Sequence, residues 1–432
     1  MAPEAAPFAT HPAEPQLAGM HDDLARDSRT LPTDPPTARA LAGAARRLLR
    51  APEVREAVRR IREQDDRTLA EQVRLASVPA PPFHEEARGR LMAELMEASG
   101  TAPPATDEVG NVSAWVGPPG ERPLVVSAHL DTVFPPDQEI AIRQEGDRWV
   151  GPGISDDARG LAVLLAVIRA LPPLPRLPIL AVATVGEEGV GDLRGVRHLF
   201  GPDGRLREAR GFISLDGAGA ARVIAAGVGS RRFRVEVQGP GGHSWVDWGR
   251  VNPAQILAEA LTEAERISLP EGCTFNVGRL GGGTSVNAIP TSAWSELEFR
   301  SEDETELERL EAGLRTLLER VVRIRNTGAA DTATLEIERI GRRPAGHTDP
   351  AEPLVQAAVA ATRAVVGRVT LAASSTDANY PMKVGIPAIT LGAGGEAGLA
   401  HTPDEWYRNV HGPEGTLRAL LTLLIQAGSG EK

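Results

Sequence analysis

The stretch LVVSAHLD, residues 124–131, indicates the fold class because an apolar run ends abruptly in a histidine and an acid. Such a short run is typical of a strand buried in a mixed or parallel sheet. The same pattern, an apolar run followed by acidic residues, recurs in PILAVATVGEE at residues 178–188 and in GFISLDG at residues 211–217. Between the first two, apolar residues from Leu161 to Ile168 recur at helical spacing. This rhythm predicts an α/β fold, a mixed sheet between helices that binds ligands at the carboxyl ends of its strands.

The hydrophobic pattern changes at about residue 228, where predicted strands with alternating apolar and polar residues replace the continuous apolar runs. Asn252 followed by Pro253 is typical of a helix start, and Ser301 with Glu304 indicates a capping box before a second helix. The resulting order βαββαβ predicts a ferredoxin-like α+β domain.

The predicted domain organisation therefore has three parts. A Pro- and Ala-rich N-terminal segment, residues 1–40, is expected to be a mobile extension. Residues 41–227 and 343–432 are expected to form the α/β domain, interrupted by the smaller α+β domain at residues 228–342.

Composition argues against several classes of function. Acidic residues outnumber basic residues 58 to 47, for a net charge of −11, so no nucleic-acid partner is expected. The longest apolar run, Leu161–Ile168, is far shorter than the roughly 18–20 residues that span a bilayer. The single cysteine, Cys273, cannot form an internal disulfide. These features predict a cytoplasmic protein with no membrane partner.

Acids and histidines follow the predicted strands in five segments. The residues that carry chemistry in them are His129, Asp131, Asp156, Asp157, Glu187, Glu188, Asp216 and His401. The first four segments recur at intervals of roughly 30 residues, about one strand plus one helix, so each returns to the same sheet edge. Any one of these residues alone could be a helix cap, a turn residue or a structural histidine. Their joint occurrence indicates a polynuclear metal site, because unpaired acids should not repeatedly end buried strands.

These segments, in order from about Leu69 to the C-terminus, resemble the co-catalytic zinc exopeptidase and deacylase family that includes peptidase T, carboxypeptidase G, aminoacylase and succinyl-diaminopimelate desuccinylase. In that family an α/β catalytic domain is interrupted by a lid or dimerisation domain. The resemblance implies two divalent metal ions per chain. Zn²⁺ is the leading expectation, with Co²⁺ or Mn²⁺ as alternatives. The implied ligands are His129, Asp156 and Asp216 for one ion and Glu188 and His401 for the other, with Asp156 bridging both.

The resemblance also implies the catalytic roles. Glu187 would be the general base that takes a proton from a metal-bridging water and delivers it to the leaving nitrogen. Asp131 would orient the imidazole of His129 and fix its tautomer. Arg159 stands near the position where the family usually carries a lysine.

Three further residues in the inserted domain match substrate-binding positions of the family. His243, in Gly241-Gly242-His243-Ser244, would reach the active site of the partner subunit in a homodimer. Asn287 would contact substrate, and Arg300 would hold a substrate carboxylate, a contact that suits a guanidinium. Considered alone, His243 could be a surface histidine in a turn and Arg300 an ordinary strand end.

The leading interpretation is a dimeric two-zinc amide hydrolase that cleaves short peptides near a free terminus. An N-acyl- or N-carbamoyl-amino-acid amidohydrolase with the same site stays open, because both substrates present a small amide with a carboxylate. A non-catalytic binding protein of the same family is a remote alternative. Such a protein should have lost a metal ligand or the general base. Asp216, where several deacylases have glutamate, favours the peptidase T-like branch.

Overall fold

The computed structural model describes residues 36–172 and 177–428. Most of the predicted mobile extension, residues 1–40, therefore lies outside the described residues. Its last positions, 36–40, are already helical, because the first helix begins at Pro36.

The helices are α1 (Pro36–Leu48), α2 (Pro52–Glu63), α3 (Asp65–Ala76), α4 (Glu86–Ala98), α5 (Ala158–Ala170), α6 (Arg194–Phe200), α7 (Pro253–Glu265), α8 (Glu304–Asn326), α9 (Pro353–Val366), α10 (Asn379–Lys383) and α11 (Gly412–Gly428). A one-turn 3₁₀ helix covers Gly189–Gly191. Within the described ranges, no helix combines the length and apolar character needed to cross a membrane.

The strands are β1 (Ala105–Thr106), β2 (Val112–Val116), β3 (Leu124–His129), β4 (Arg143–Glu145), β5 (Arg148–Val150), β6 (Ile179–Thr184), β7 (Gly211–Leu215), β8 (Arg222–Gly227), β9 (Gly229–Gln238), β10 (Gly242–His243), β11 (Thr274–Gly282), β12 (Ala288–Ile289), β13 (Ser292–Ser301), β14 (Thr334–Arg343), β15 (Gly346–His347), β16 (Thr370–Ser374), β17 (Ala388–Leu391), β18 (Glu396–Gly398) and β19 (Trp406–Arg408).

The central sheet is mixed, as the sequence predicts. Its order is β1-β2-β6-β3-β7-β17-β8-β15, and β16 also pairs with β8. The inner strands β6, β3, β7 and β17 are parallel to one another, whereas β2 and β8 run antiparallel to their neighbours β6 and β17. All four inner strands are buried along their whole length, which explains their continuous apolar sequences. Their carboxyl ends therefore share one edge of the sheet.

Two hydrophobic cores cover the two faces of this sheet. Val126 and Ala128 of β3 belong to a core shared with α4 and α5, while Val125 belongs to a core shared with α6. Successive residues of a strand point to opposite faces, so β3 contributes to both cores. The result is the α/β/α layering expected from the sequence.

A second sheet lies in residues 229–343, which we call the inserted unit. Its strand order is β11-β13-β9-β14, and every pairing is antiparallel. Along the chain the main elements follow the predicted order βαββαβ, with α7 and α8 packed on the sheet. A separate hydrophobic core joins these helices to the strands.

The predicted capping box at the start of α8 is wrong. Asp303 is the N-cap, and its carboxylate accepts the backbone amides of Thr305 and Glu306 at 2.7 and 3.4 Å. Ser301 stays in β13 as its last residue, and its hydroxyl accepts the amide of Asp303. Because the strand continues to residue 301, the cap moves two residues along the chain.

Candidate active site

The edge formed by the carboxyl ends of the inner strands brings the predicted acids and histidines together. His129 is the last residue of β3, and Asp216 follows β7 directly. Glu187 and Glu188 follow β6 after a two-residue link. The regular spacing in the sequence therefore corresponds to one place in the fold.

Two chain segments outside these strand ends complete the cluster. Asp156 lies just before α5, and His401 lies in the loop between β18 and β19. One group of possible ligand atoms, all within 4.8 Å of one another, comes from His129, Asp156 and Asp216. Another comes from Asp156, Glu188 and His401. Both groups consist of residues that the sequence predicts as ligands, and they share Asp156. A third group of possible ligand atoms comes from His129, Glu187 and Glu188.

The carboxylate of Asp156 lies between two imidazoles. Its Oδ1 is 3.0 Å from His129 Nε2, and its Oδ2 is 3.1 Å from His401 Nε2. His401 Nε2 also lies 3.1 Å from Glu188 Oε1. A carboxylate that presents one oxygen to each of two ligand groups has the arrangement that a bridging ligand requires.

Positive charge is strongly favoured at this cluster. Burial, together with the negative charge of Asp156, raises the pKa of Asp216 to about 7. Hydrogen bonds to Asp156 and Glu188 raise the pKa of His401 to about 10. Carboxylates and imidazoles without a thiolate are suited to zinc, cobalt or manganese. The residues therefore fit divalent cations.

Asp131 contacts the site in two ways. Its backbone carbonyl oxygen lies 3.0 Å from His129 Nδ1, while its carboxylate oxygen is farther away at 3.7 Å. The carboxylate instead accepts the backbone amides of Glu187 at 2.9 Å and Glu188 at 2.7 Å. Asp131 thus meets the imidazole through its backbone and fixes the two glutamates through its side chain.

Of the two adjacent acids Asp156 and Asp157, it is Asp157 that caps a helix. Its carboxylate accepts the amide of Gly160 in the first turn of α5 and the amide of His129, both at 3.1 Å. A side chain at residue 160 would collide with this carboxylate and with the carbonyl of Leu215, so glycine permits the close approach. The alternative role foreseen for the pair, helix capping, thus applies to Asp157, whereas Asp156 faces the histidines.

Glu405 is a site residue that the sequence reasoning missed. Its buried carboxylate accepts the amides of Gly153, Ser155 and Asp156 at 3.2, 2.7 and 2.9 Å, and the Ser155 hydroxyl at 2.6 Å. It thereby fixes the turn that presents Asp156. The only signal was its place four residues after His401, in a segment already singled out for its acids.

Arg343 and Asp377 were also missed. Arg343 Nη1 donates to Glu187 Oε1 at 2.9 Å, and its Nη2 donates to the Glu187 carbonyl. Asp377 is fully buried and accepts the hydroxyl of Thr184 at 2.5 Å. Burial raises the pKa of Asp377 to about 6. No pattern marks Arg343 among so many arginines, whereas Asp377 follows a strand, β16, as Glu187 and Asp216 do.

Arg159 supports the glycine-rich loop near His401. Its Nε and Nη2 donate to the carbonyls of Ala393 and Gly412, both at 2.9 Å, and its guanidinium lies 5.1 Å from the centre of the Tyr407 ring. This buried arginine therefore stabilises the loops on either side of residue 401.

The three predicted substrate-binding residues lie in the inserted unit. His243 and Asn287 are both exposed. They lie close together because β10 pairs with β12 and the Ser244 amide donates to the Asn287 carbonyl. Arg300 is half-buried in β13 and donates through Nε to Glu298 at 2.9 Å. Among the described residues, no hydrogen bond or ion pair joins any of the three to the metal-ligand groups within this chain.

Comparison with known proteins agrees with this site. The model of peptidase family M20/M25/M40 matches residues 125–426, which contain all of the ligand groups. A Mycobacterium tuberculosis protein, provisionally named a succinyl-diaminopimelate desuccinylase, is 28% identical over 317 residues, which cover 70% of this chain and 80% of that protein.

Solved structures show the same fold. An aminopeptidase of Bacillus cereus superposes with a TM-score of 0.64 at 22% identity, covering 84% of this chain and 97% of that one. A tripeptidase of Staphylococcus aureus gives a TM-score of 0.66 at 20% identity, with coverage of 84% and 98%. With the family match across more than half of the sequence, these findings show that the chain is a metal-dependent hydrolase of peptidase family M20/M25/M40.

Proposed function

We propose that this enzyme is a two-metal exopeptidase that hydrolyses short peptides near a free terminus. The observation that carries the proposal is the Asp156 carboxylate held between His129 and His401, with Asp216 and Glu188 completing two ligand groups. His129, Asp156 and Asp216 would hold one ion, and Asp156, Glu188 and His401 the other. When bound, two divalent ions, in our proposal Zn²⁺, lower the pKa of coordinated water and polarise the scissile carbonyl.

Glu187 would act as the general base. It is buried next to the ligand groups, and its Oε1 is held by Arg343, which leaves Oε2 outside that ion pair. Oε2 would accept the proton of the attacking water and then donate it to the leaving nitrogen. Asp131 would keep this carboxylate in place, since it accepts the amides of Glu187 and Glu188.

A free carboxylate of the substrate would bind Arg300. Arg300 and Arg232 both donate to Glu298, at 2.9 and 3.2 Å, and Arg232 also donates to the carbonyl of Gly189 at 2.8 Å. Arg300 is therefore linked, through Glu298 and Arg232, to the loop that carries the base. Its Nη atoms are not used in the contact with Glu298, and a guanidinium is suited to bidentate carboxylate binding. A terminal carboxylate anchored there would restrict cleavage to small substrates.

His243 and Asn287 would serve the active site of a second subunit. The backbone amides of Trp245 and Val246 donate to His243 Nδ1 at 3.2 and 3.4 Å, so the neutral ring carries its proton on Nε2. An exposed Nε2–H group is a suitable donor to an oxyanion. We therefore propose a homodimer in which residues 228–342 form the lid and dimerisation domain and residues 41–227 and 343–432 the catalytic domain.

N-acyl- and N-carbamoyl-amino-acid hydrolysis is the competing function. The name of the Mycobacterium tuberculosis relative, a desuccinylase, supports this competing function. The names of the two structural neighbours, an aminopeptidase and a tripeptidase, support peptide substrates. The test is a panel of dipeptides, tripeptides, N-acetyl amino acids and N-carbamoyl amino acids, with zinc-reconstituted protein. We expect the highest kcat/KM on a peptide. A higher kcat/KM on an N-acyl or N-carbamoyl amino acid would establish the competing function instead.

A further inference from the structure

The loop that carries Glu187 and Glu188 continues to Asp192 and there meets the inserted unit. Arg232 of β9 donates to the carbonyl of Gly189 at 2.8 Å. The backbone amide of Arg342 in β14 donates to both carboxylate oxygens of Asp192, each at 3.1 Å. Because β9 and β14 pair with each other, two neighbouring strands of the inserted sheet hold this loop at two points.

Asp192 is the residue on which these contacts converge. Arg197 of α6 donates to the Asp192 carboxylate at 3.0 Å and to its carbonyl at 2.5 Å, and also to the carbonyl of Arg342. Asp192 has a φ of +49°, a left-handed conformation that favours Asn, Asp and Gly over other residues. Its backbone and its side chain are therefore both committed to joining the loop to the strand end.

The residue after Arg342 reaches the base itself. Arg343 donates to the carboxylate and to the carbonyl of Glu187. The carbonyl of Arg343 in turn accepts Arg231 Nη1 at 3.1 Å, and Arg231 Nη2 donates to Glu304 of α8. Since Arg342 and Arg343 are adjacent in β14, the contact between Arg342 and Asp192 lies one residue away from the contact between Arg343 and Glu187.

We propose that Asp192 is a positioning residue for Glu187, through which the inserted unit fixes the place of the general base. The proposal rests on the proposed function, because it assumes that Glu187 is the base. Loss of the Asp192 carboxylate would remove its hydrogen bonds to the Arg342 amide, leave the loop held to β14 by fewer contacts and shift Glu187 relative to the substrate. Displacements on the order of 1 Å caused by distant substitutions can reduce rates by about 10²-fold.

The test compares Asp192→Gly with Asp192→Asn in the zinc-loaded full-length enzyme. Both substitutions suit a positive φ, but only asparagine retains an oxygen that accepts the Arg342 amide. We expect Asp192→Gly to lower kcat by about 10- to 100-fold with KM and bound zinc unchanged, and Asp192→Asn to recover most of the loss. Hydrogen exchange at the amides of residues 187–191 should be faster in Asp192→Gly alone.

The matched control is Arg339→Ala, which removes a side chain from β14 that pairs with Glu311 away from the loop and should leave kcat unchanged. Wild-type kcat in Asp192→Gly would overturn the proposal. Loss of zinc or of thermal stability in parallel with kcat would also overturn it, by showing a general structural role. Full activity of Glu187→Gln would instead overturn the proposed function, which separates the two failures.

Discussion

The carboxylate of Asp131 accepts the backbone amide of Glu188 at 2.7 Å, so a residue beside one ligand group fixes the backbone of the other. The backbone carbonyl of the same residue lies 3.0 Å from His129 Nδ1. The two ligand groups are consequently joined by Asp131 as well as by Asp156. If both groups hold metal ions, as we propose, we expect this link to make the occupancy of one group sensitive to the geometry of the other.

Asp131→Asn should therefore weaken the binding of both ions. An amide can accept only one of the two backbone hydrogens at full strength, because its NH₂ group is itself a donor. We expect the affinity for zinc to fall by about 10- to 100-fold, as is typical when a residue that orients metal ligands is lost. Competition with a chelator measures the change. Asp404→Asn, an exposed acid near His401, is the control; an equal loss there would contradict the explanation.

Measuring the zinc content of variants should distinguish the proposed bridging ligand, Asp156, from the proposed general base, Glu187. Wild-type protein reconstituted with zinc should hold close to two equivalents per chain. Asp156→Ala should lose most of both ions, because its carboxylate contributes to both ligand groups. Glu187→Ala should keep them. The reverse pattern would show that the two assignments are exchanged.

Glu187→Gln tests proton transfer directly. The amide keeps the shape of the side chain and can still accept from Arg343, but it cannot take a proton from water. We expect kcat to fall by at least the roughly 10²- to 10⁴-fold typical of a lost general base, with KM and zinc content nearly unchanged. Single-turnover and steady-state rates on the best peptide provide the measurement. Turnover close to wild type in a metal-replete sample would remove Glu187 from the mechanism.

Amidation of the substrate carboxylate tests Arg300. If Arg300 holds that group, the wild-type enzyme should lose much of its kcat/KM on the amidated peptide, and Arg300→Ala should treat acid and amide almost alike. Arg279→Ala is a matched control, since Arg279 of β11 forms an ion pair with Glu296 of β13, the strand that carries Arg300. Equal wild-type activity on both forms would indicate a substrate anchored by its amino terminus.

Mixed dimers test whether the active site is shared. His243→Ala and Glu187→Ala should each be folded, dimeric, metal-loaded and nearly inactive. If each site takes Glu187 from one chain and His243 from the other, a mixed dimer contains one intact site. Random exchange of equal amounts makes about half of the dimers mixed, so activity should recover to about a quarter of wild type. Mass analysis that finds mixed dimers without recovered activity would contradict the shared site.

The sequence predicts the parts of this structure that depend on local patterns. Buried strands appear as apolar runs because both faces of the inner sheet are covered, and acids after such runs stand out because they are costly there. His129, Glu187 and Asp216 were recognisable for that reason. The roles proposed for them remain predictions, since they concern chemistry and not position.

Contacts between distant segments could not be read from the sequence. Arg343 meets Glu187 across 156 residues, and in a chain so rich in arginine nothing distinguishes this one. The start of α8 shows the same limit on a smaller scale. Ser301 and Asp303 both fit a cap position, and the length of β13, which its neighbouring strands determine, decides between them.

The clamp that Glu405 forms on the turn before Asp156 has a consequence for synthesis of the protein. Glu405 and His401 lie near the C-terminal end of the described chain, about 250 positions after the turn that they complete. In a nascent chain, β3, β6 and β7 leave the ribosome well before these two residues, whereas β17, the fourth inner strand, ends only ten residues before His401. We expect such a chain to lack the second ligand group, so hydrolysis should begin only after residues 401–405 have been synthesised and have folded onto the turn.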